Sequence, residues 1–217
     1  MSLVVAFMAA IVGLSAAPAQ ADHSWGTYHW KRTGAVQVKV YDSVTTDWNN
    51  ALSVANSDWN KSAYLENTVV ASDDSSRTRR RCNAISGAVR VCNYAYGNNG
   101  WAGIASISLS GGHISQGTAK MNDTYLGGAG SAKRQGVMCQ EVGHDWGLGH
   151  QDENFTNPNL GTCMDYTNDW STNQHPNQHD YDQLTSIYSH SDAASAAGES
   201  GVTTIRTGGT VTMITWA

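Results

Sequence analysis

The sequence predicts an α/β (α+β) domain: a mixed, twisted sheet, a helix that carries the chemistry, and a second helix near the C-terminus. Three observations predict it. Val36, Val38 and Val40 alternate with Gln37 and Lys39, the period of a half-buried strand. Trp48, Ala51, Leu52, Ala55 and Trp59 recur at i, i+3, i+4, i+7 and i+11, one apolar stripe along a helix. Strand-like runs then precede a glycine-rich break, after which the periodicity is helical.

Taken in order, residues 1–21 read as an export signal, because Leu3 to Leu14 is apolar and Ala19-Gln20-Ala21 offers a small-x-small cleavage site. The apolar run is too short for a bilayer, so a secreted, extracellular chain with no membrane partner is expected. The first strand covers Ala35 to Tyr41, and Thr45 or Thr46 caps the Trp48–Trp59 helix. A strand follows at Thr68 to Ala71, and two more lie within Gly103 to Leu109 and His113 to Met121, turned by Gly111-Gly112. Past Gly127 to Gly130 a helix begins near Ser131 and stops at Gly147. The stretch from Gln151 to Gln178 reads as loop, and helical spacing resumes from Asp180 to His190. Residues 22–190 are thus one domain, while 191–217 form a linker and short tail with a hairpin about Gly208-Gly209.

Composition narrows the partners. Only 14% of residues are charged, and 13 Lys+Arg against 18 Asp+Glu give a net charge of -5, so there is no basic field for a phosphate backbone. Nucleic acid is therefore a poor candidate partner and none is expected, and a monomer is expected. The four cysteines, Cys82, Cys92, Cys139 and Cys163, argue for two disulfides in an exported chain. Three pairings are possible. The turn Ser86-Gly87 favours Cys82 with Cys92 across a hairpin of Arg79–Ile85 and Ala88–Tyr94, which leaves Cys139 with Cys163.

The chemistry concentrates in residues 139–153. On a helix Gln140, Glu141 and His144 share one side, since residues one turn apart stack. Gly147 allows a sharp left-handed turn that returns His150 toward His144. Two imidazoles and a carboxylate suit a divalent transition metal with room for water, and the non-ligating Glu141 is placed to take a proton from that water.

This stretch resembles the metzincin signature H-E-x-x-H-x-x-G-x-x-H, and Thr162-Cys163-Met164-Asp165-Tyr166 resembles the methionine turn that follows it in that clan, as in matrixins, astacins and snapalysins. The pattern Glu-x-x-His-x-x-Gly-x-x-His arises by chance on the order of once per million starting positions. The resemblance implies a metzincin-like sheet and a catalytic zinc. It makes Glu141 the general base, His144 and His150 metal ligands, Met164 the methionine beneath the metal, and Tyr166 a support for the transition state. It likens His113–Met121 to the edge strand that pairs with a protein or peptide substrate.

The chain departs from the signature at Gln140, where the clan has its first His ligand. Four completions stay open: the Gln140 carbonyl oxygen, Asp152, an additional water, or no metal at all. The functional expectation is a secreted zinc endopeptidase, and the alternative is a catalytically inactive metzincin-fold binding protein without a stable metal site. A glycosidase using Glu141 with Asp152 or Asp165 is a third reading. Calcium would have only the Asp/Asn-rich run Asp152–Asn159, which lacks EF-hand spacing. His175 and His179 read as loop residues, and His113 and His190 have no ligand-like partner within a turn. Between Ala21 and the first strand there is too little chain for an inhibitory prodomain, so any latency is expected to arise otherwise.

Overall fold

The computed structural model describes residues 22–192, 206–207 and 209–217. The export signal expected at 1–21 and nearly all of the linker expected at 191–201 lie outside these residues. Seven strands form one mixed sheet in the order β2-β1-β3-β5-β4-β7-β6. β1 (Lys39–Ser43) is parallel to both β2 (Thr68–Ala71) and β3 (Ala88–Tyr94), and β3 is parallel to β5 (His113–Asn122). β4 (Trp101–Ser110) runs antiparallel between β5 and β7 (Thr210–Trp216), and β6 (Arg206–Thr207) pairs with β7. Among the described residues no helix is long and apolar enough to cross a membrane.

The apolar stripe from Trp48 to Trp59 becomes a 3-10 turn at Thr46–Trp48 that runs into helix α1 (Asn49–Trp59). Trp48, Leu52, Ala55 and Trp59 are fully buried against the core. Helix α4 (Ser131–His144) packs on α1 and on β4 and β5, so every residue from Gln135 to His144 is buried. The Trp59 indole donates to the Cys139 carbonyl at 3.0 Å and fixes the register of the two helices. Helix α5 (Gln178–Tyr188) starts in a capping box: Asn177 accepts from the Asp180 amide while Asp180 accepts from the Asn177 amide.

Three sequence expectations change. Arg79–Ile85 is not a strand: Ser76–Arg81 is helix α2, begun by the Ser75 hydroxyl accepting from the Thr78 amide and ended by Cys82 in a left-handed conformation. The partners of β3 are β1 and β5, so neither side of β3 has room for a hairpin arm. The Cys82–Cys92 disulfide therefore ties a helix end to β3, and the second bond joins Cys139 to Cys163. Likewise, β5 is not an edge strand, because β3 and β4 flank it. Finally, residues 210–216, set apart from the domain in the sequence, extend its sheet as β7. A short helix α3 (Asp123–Leu126) follows β5, capped by the buried Asn122 side chain.

Candidate metal centre and active site

Helix α4 stops at His144 because the next turn reverses the chain. Gly147 takes a positive φ of 88°, and a Cβ there would meet the Tyr28 carbonyl oxygen at 2.1 Å, so glycine is required on both counts. The turn is held from outside. The Trp25 amide donates to the Gly147 carbonyl at 2.7 Å, the Gly149 amide donates to the His23 carbonyl at 2.5 Å, and Ser24 bridges Leu148. An N-terminal strap thus crosses the turn that delivers His150.

The turn brings the rings of His144 and His150 to 4.7 Å, nearly perpendicular to each other. Each ring has one nitrogen already committed. His144 Nδ1 lies 2.8 Å from the Leu148 carbonyl oxygen, which can only accept, and His150 Nδ1 lies 3.0 Å from Glu153 Oε1. Those bonds place the protons on Nδ1 and leave both Nε2 atoms as lone-pair donors. Both Nε2 atoms are buried and without a partner. Glu153, which the sequence reading passed over, is held below the usual carboxylate range chiefly by its bond from His150.

Gln140 and Glu141 precede them on the same helix, fully buried. Gln140 Oε1 accepts the Thr215 hydroxyl at 2.6 Å, while its Nε2 is unpartnered. Neither Glu141 oxygen has a partner, since the nearby Thr215 proton goes to Gln140. Gly103 on β4 makes room for this carboxylate: a Cβ there would sit 2.4 Å from Glu141 Oε1. Met164 lies directly under α4, its sulfur 2.8 Å from where a Cβ on Gly143 would be, and its carbonyl accepts the Gln151 amide at 2.6 Å.

Two residues singled out in the sequence are turned elsewhere. Asp152 Oδ1 accepts the Asn154 amide at 2.6 Å, and among the described residues Asp152 does not join His144 and His150 in a group of three donors within 4.8 Å of one another. Tyr166 packs on His150 at 4.3 Å between ring centroids, but its hydroxyl donates to the Ile214 carbonyl of β7 at 2.8 Å. Asp180, read from the sequence only as a helix start, is a second residue whose role was missed. Fully buried, it accepts from His23 Nε2 and Gln151 Nε2, both at 3.0 Å, through Oδ1, and from the Thr162 hydroxyl at 2.5 Å and the Asn177 amide at 2.7 Å through Oδ2. The strap, the segment that begins at Thr162 and α5 all meet on one carboxylate. His175 bonds Asp58 and His179 stacks near His23, so neither reaches the site.

Burial sets the electrostatics. It pushes Glu141 up to about 8. Burial, joined by the Glu141 charge, raises Asp145 well above its ordinary value. Burial, then the neighbouring His150, holds His144 well below 6.5, and burial lowers His150 despite Glu153. The signs give a pH window. The depressed imidazoles add stability that grows as pH rises to 6.5, and above that they add nothing further. The raised carboxyls add stability that is present in acid and is lost as pH climbs toward about 8. In chelator, the melting temperature should therefore fall between pH 6.5 and about 8, and less steeply in Glu141→Gln. A wild-type melting temperature that climbs over this range would contradict the assignment.

No protein-family model matches the chain, and no curated protein matches it. Among solved structures, the chain is similar to myroilysin, at 10% identity and a TM-score of 0.44, over 75% of this chain and 86% of that one. It is also similar to high choriolytic enzyme 1, a hatching enzyme zinc-protease from Oryzias latipes (medaka fish), at 11% identity and a TM-score of 0.40, over 74% of this chain and 94% of that one.

Proposed function

We propose that the chain is an exported zinc endopeptidase of metzincin type whose cleft is closed by its own C-terminal strand. One observation carries the reading: two buried imidazoles, each with Nδ1 tied to an acceptor, leave unpartnered Nε2 atoms on the same helix and returning turn as an unpartnered, buried carboxylate. Polar atoms buried without partners are costly, and three such groups on a helix and its returning turn fit a cation and the water it activates.

His144 and His150 would hold the metal through Nε2, with the second lone pair of Gln140 Oε1, which already accepts the Thr215 hydroxyl, as the adjoining ligand. Zinc, when bound, would polarise a peptide carbonyl and acidify water. Glu141 then takes one proton from the attacking water and delivers it to the departing amine nitrogen, so water is added across the peptide bond. Its upward shift suits that exchange, because a base that must also act as an acid works best near ambient pH. Leu148 and Glu153 keep the imidazoles in the tautomer the reaction needs. The Cys139–Cys163 bond ties the residue before Gln140 to the residue before Met164, joining the metal helix to the floor of the site.

The site is closed as folded. Gln140, Glu141 and His144 have no exposure, and β7 lies antiparallel along β4, with Thr215 on Gln140 and Ile214 on Tyr166. A substrate strand that pairs with β4 would need that same edge. The test is zinc analysis of secreted protein, with casein hydrolysis measured with and without chelator, for the full chain and for a form ending at residue 205. We expect about one zinc at His144 and His150, chelator-sensitive hydrolysis, and a rate about tenfold or more higher in the shortened form. No hydrolysis by either form when zinc is supplied would favour the binding protein instead.

A further inference from the structure

Far along the chain from the Gln140–His150 site, three histidines and an aspartate converge from three segments. His29 lies on the N-terminal strap, His113 opens β5 after the Gly111-Gly112 turn, and His190 and Asp192 follow α5. His29 Nε2, His113 Nε2 and His190 Nε2 stand 3.1, 3.3 and 3.0 Å from Asp192 Oδ1, and His29 Nε2 stands 3.2 Å from His190 Nε2. We propose that these four side chains form a second divalent-cation site, selective for zinc or a similar imidazole-seeking ion.

The distances fit a coordination shell. A tetrahedral zinc bonded at about 2.0–2.1 Å separates its ligand atoms by roughly 3.3 Å; the three spacings to Asp192 Oδ1 and the His29–His190 spacing fall at or just below that, and the donor atoms of His29, His113 and Asp192 all lie within 4.8 Å of one another. The tautomers argue further. His29 Nδ1 is 2.8 Å from the Thr27 carbonyl oxygen, and His113 Nδ1 is 3.0 Å from the Gly111 carbonyl oxygen. Carbonyls only accept, so the Nδ1 atoms carry protons, and in its neutral form each ring would aim a bare Nε2 lone pair at a carboxylate oxygen. Lone pair against lone pair repels. Protonating every ring would instead crowd three positive charges around one oxygen, whose partner Oδ2 already accepts the Arg32 amide at 2.6 Å. One dication satisfies all four atoms together. The donor set of three imidazoles and one carboxylate selects zinc over calcium or magnesium, which prefer oxygen.

A shell filled by four protein atoms leaves no position for a reacting water, so the role is structural. The ion would lock the strap at His29 to β5 and to the end of α5. The same strap carries His23 and Trp25 to the turn beside His144. Binding would therefore stabilise the fold and would be independent of the hydrolytic reading.

The experiment uses the full chain with His144 and His150 both replaced by Ala, so that the other candidate site is silent. After chelator treatment it is titrated with Co2+, read by visible absorption, and with Zn2+, read by melting temperature and elemental analysis. About one ion per chain, absorption of tetrahedral intensity and a Zn2+-dependent rise in melting temperature are expected. Adding His190→Ala, whose side chain is 40% exposed and thus dispensable for packing, should weaken binding roughly tenfold or more and remove the rise. His113→Ala should do the same. Unchanged titrations in both variants, or no metal bound by the starting protein, would overturn the proposal.

Discussion

Glu141→Gln should lower zinc-dependent peptide hydrolysis by about a thousandfold while the chain stays folded. The substitution is nearly isosteric, and burial already keeps Glu141 protonated up to about 8 in the metal-free fold, so a neutral amide enters an environment built for a neutral group. Metal content should change little, because His144 and His150 keep their Nδ1 partners. The comparison separates chemistry from scaffold: zinc analysis and circular dichroism should match wild type, and only the hydrolysis assay should collapse. Retained hydrolysis in this variant would remove Glu141 from the mechanism.

Asp180→Ala carries the largest expected loss of stability. Four donors, from His23, Gln151, Thr162 and Asn177, would be left facing a void in a fully buried setting. At about 1–3 kcal/mol for each unsatisfied group, with some relaxation, the cost is on the order of 3–5 kcal/mol. For a chain of this size that corresponds to a fall in melting temperature of roughly 10 °C or more. Urea unfolding in chelator would measure it, with Asp180→Asn as the milder companion because it keeps acceptor capacity. Equal stability of the Ala variant and wild type would show that the carboxylate is not the hub its contacts describe.

The sequence displayed local features well and distant ones poorly, for physical reasons. Period-2 and period-3.6 patterns are written into neighbouring residues, so β2, β4, β5, α1, α4 and α5 lay near their predicted positions. The spacing of Glu141, His144, Gly147 and His150 was legible because one helix and one turn hold all four. Parallel pairing leaves no comparable local trace, which is why β3 was matched with the wrong partner and the arginine-rich α2 was read as a strand. Asp180 reads as an ordinary helix start until the strap and the segment that begins at Thr162 arrive from elsewhere. Only His190 and Asp192 are near in sequence, and tertiary structure alone brings His29 and His113 to them. The signal available for Glu153 was its position three residues after His150, a short reach that the Gly147 signature did not include.

Strand β7 also bears on the order of assembly. Thr215 and Ile214 reach Gln140 and Tyr166 from β7, 75 and 48 positions away, while His23 meets Asp180 across 157 positions of chain. Contacts of such long range form late. The imidazoles and the carboxylate thus come from one helix and one turn, whereas the contacts that cover them come from β7 and the strap, so this region is complete only once both chain-distant segments have docked.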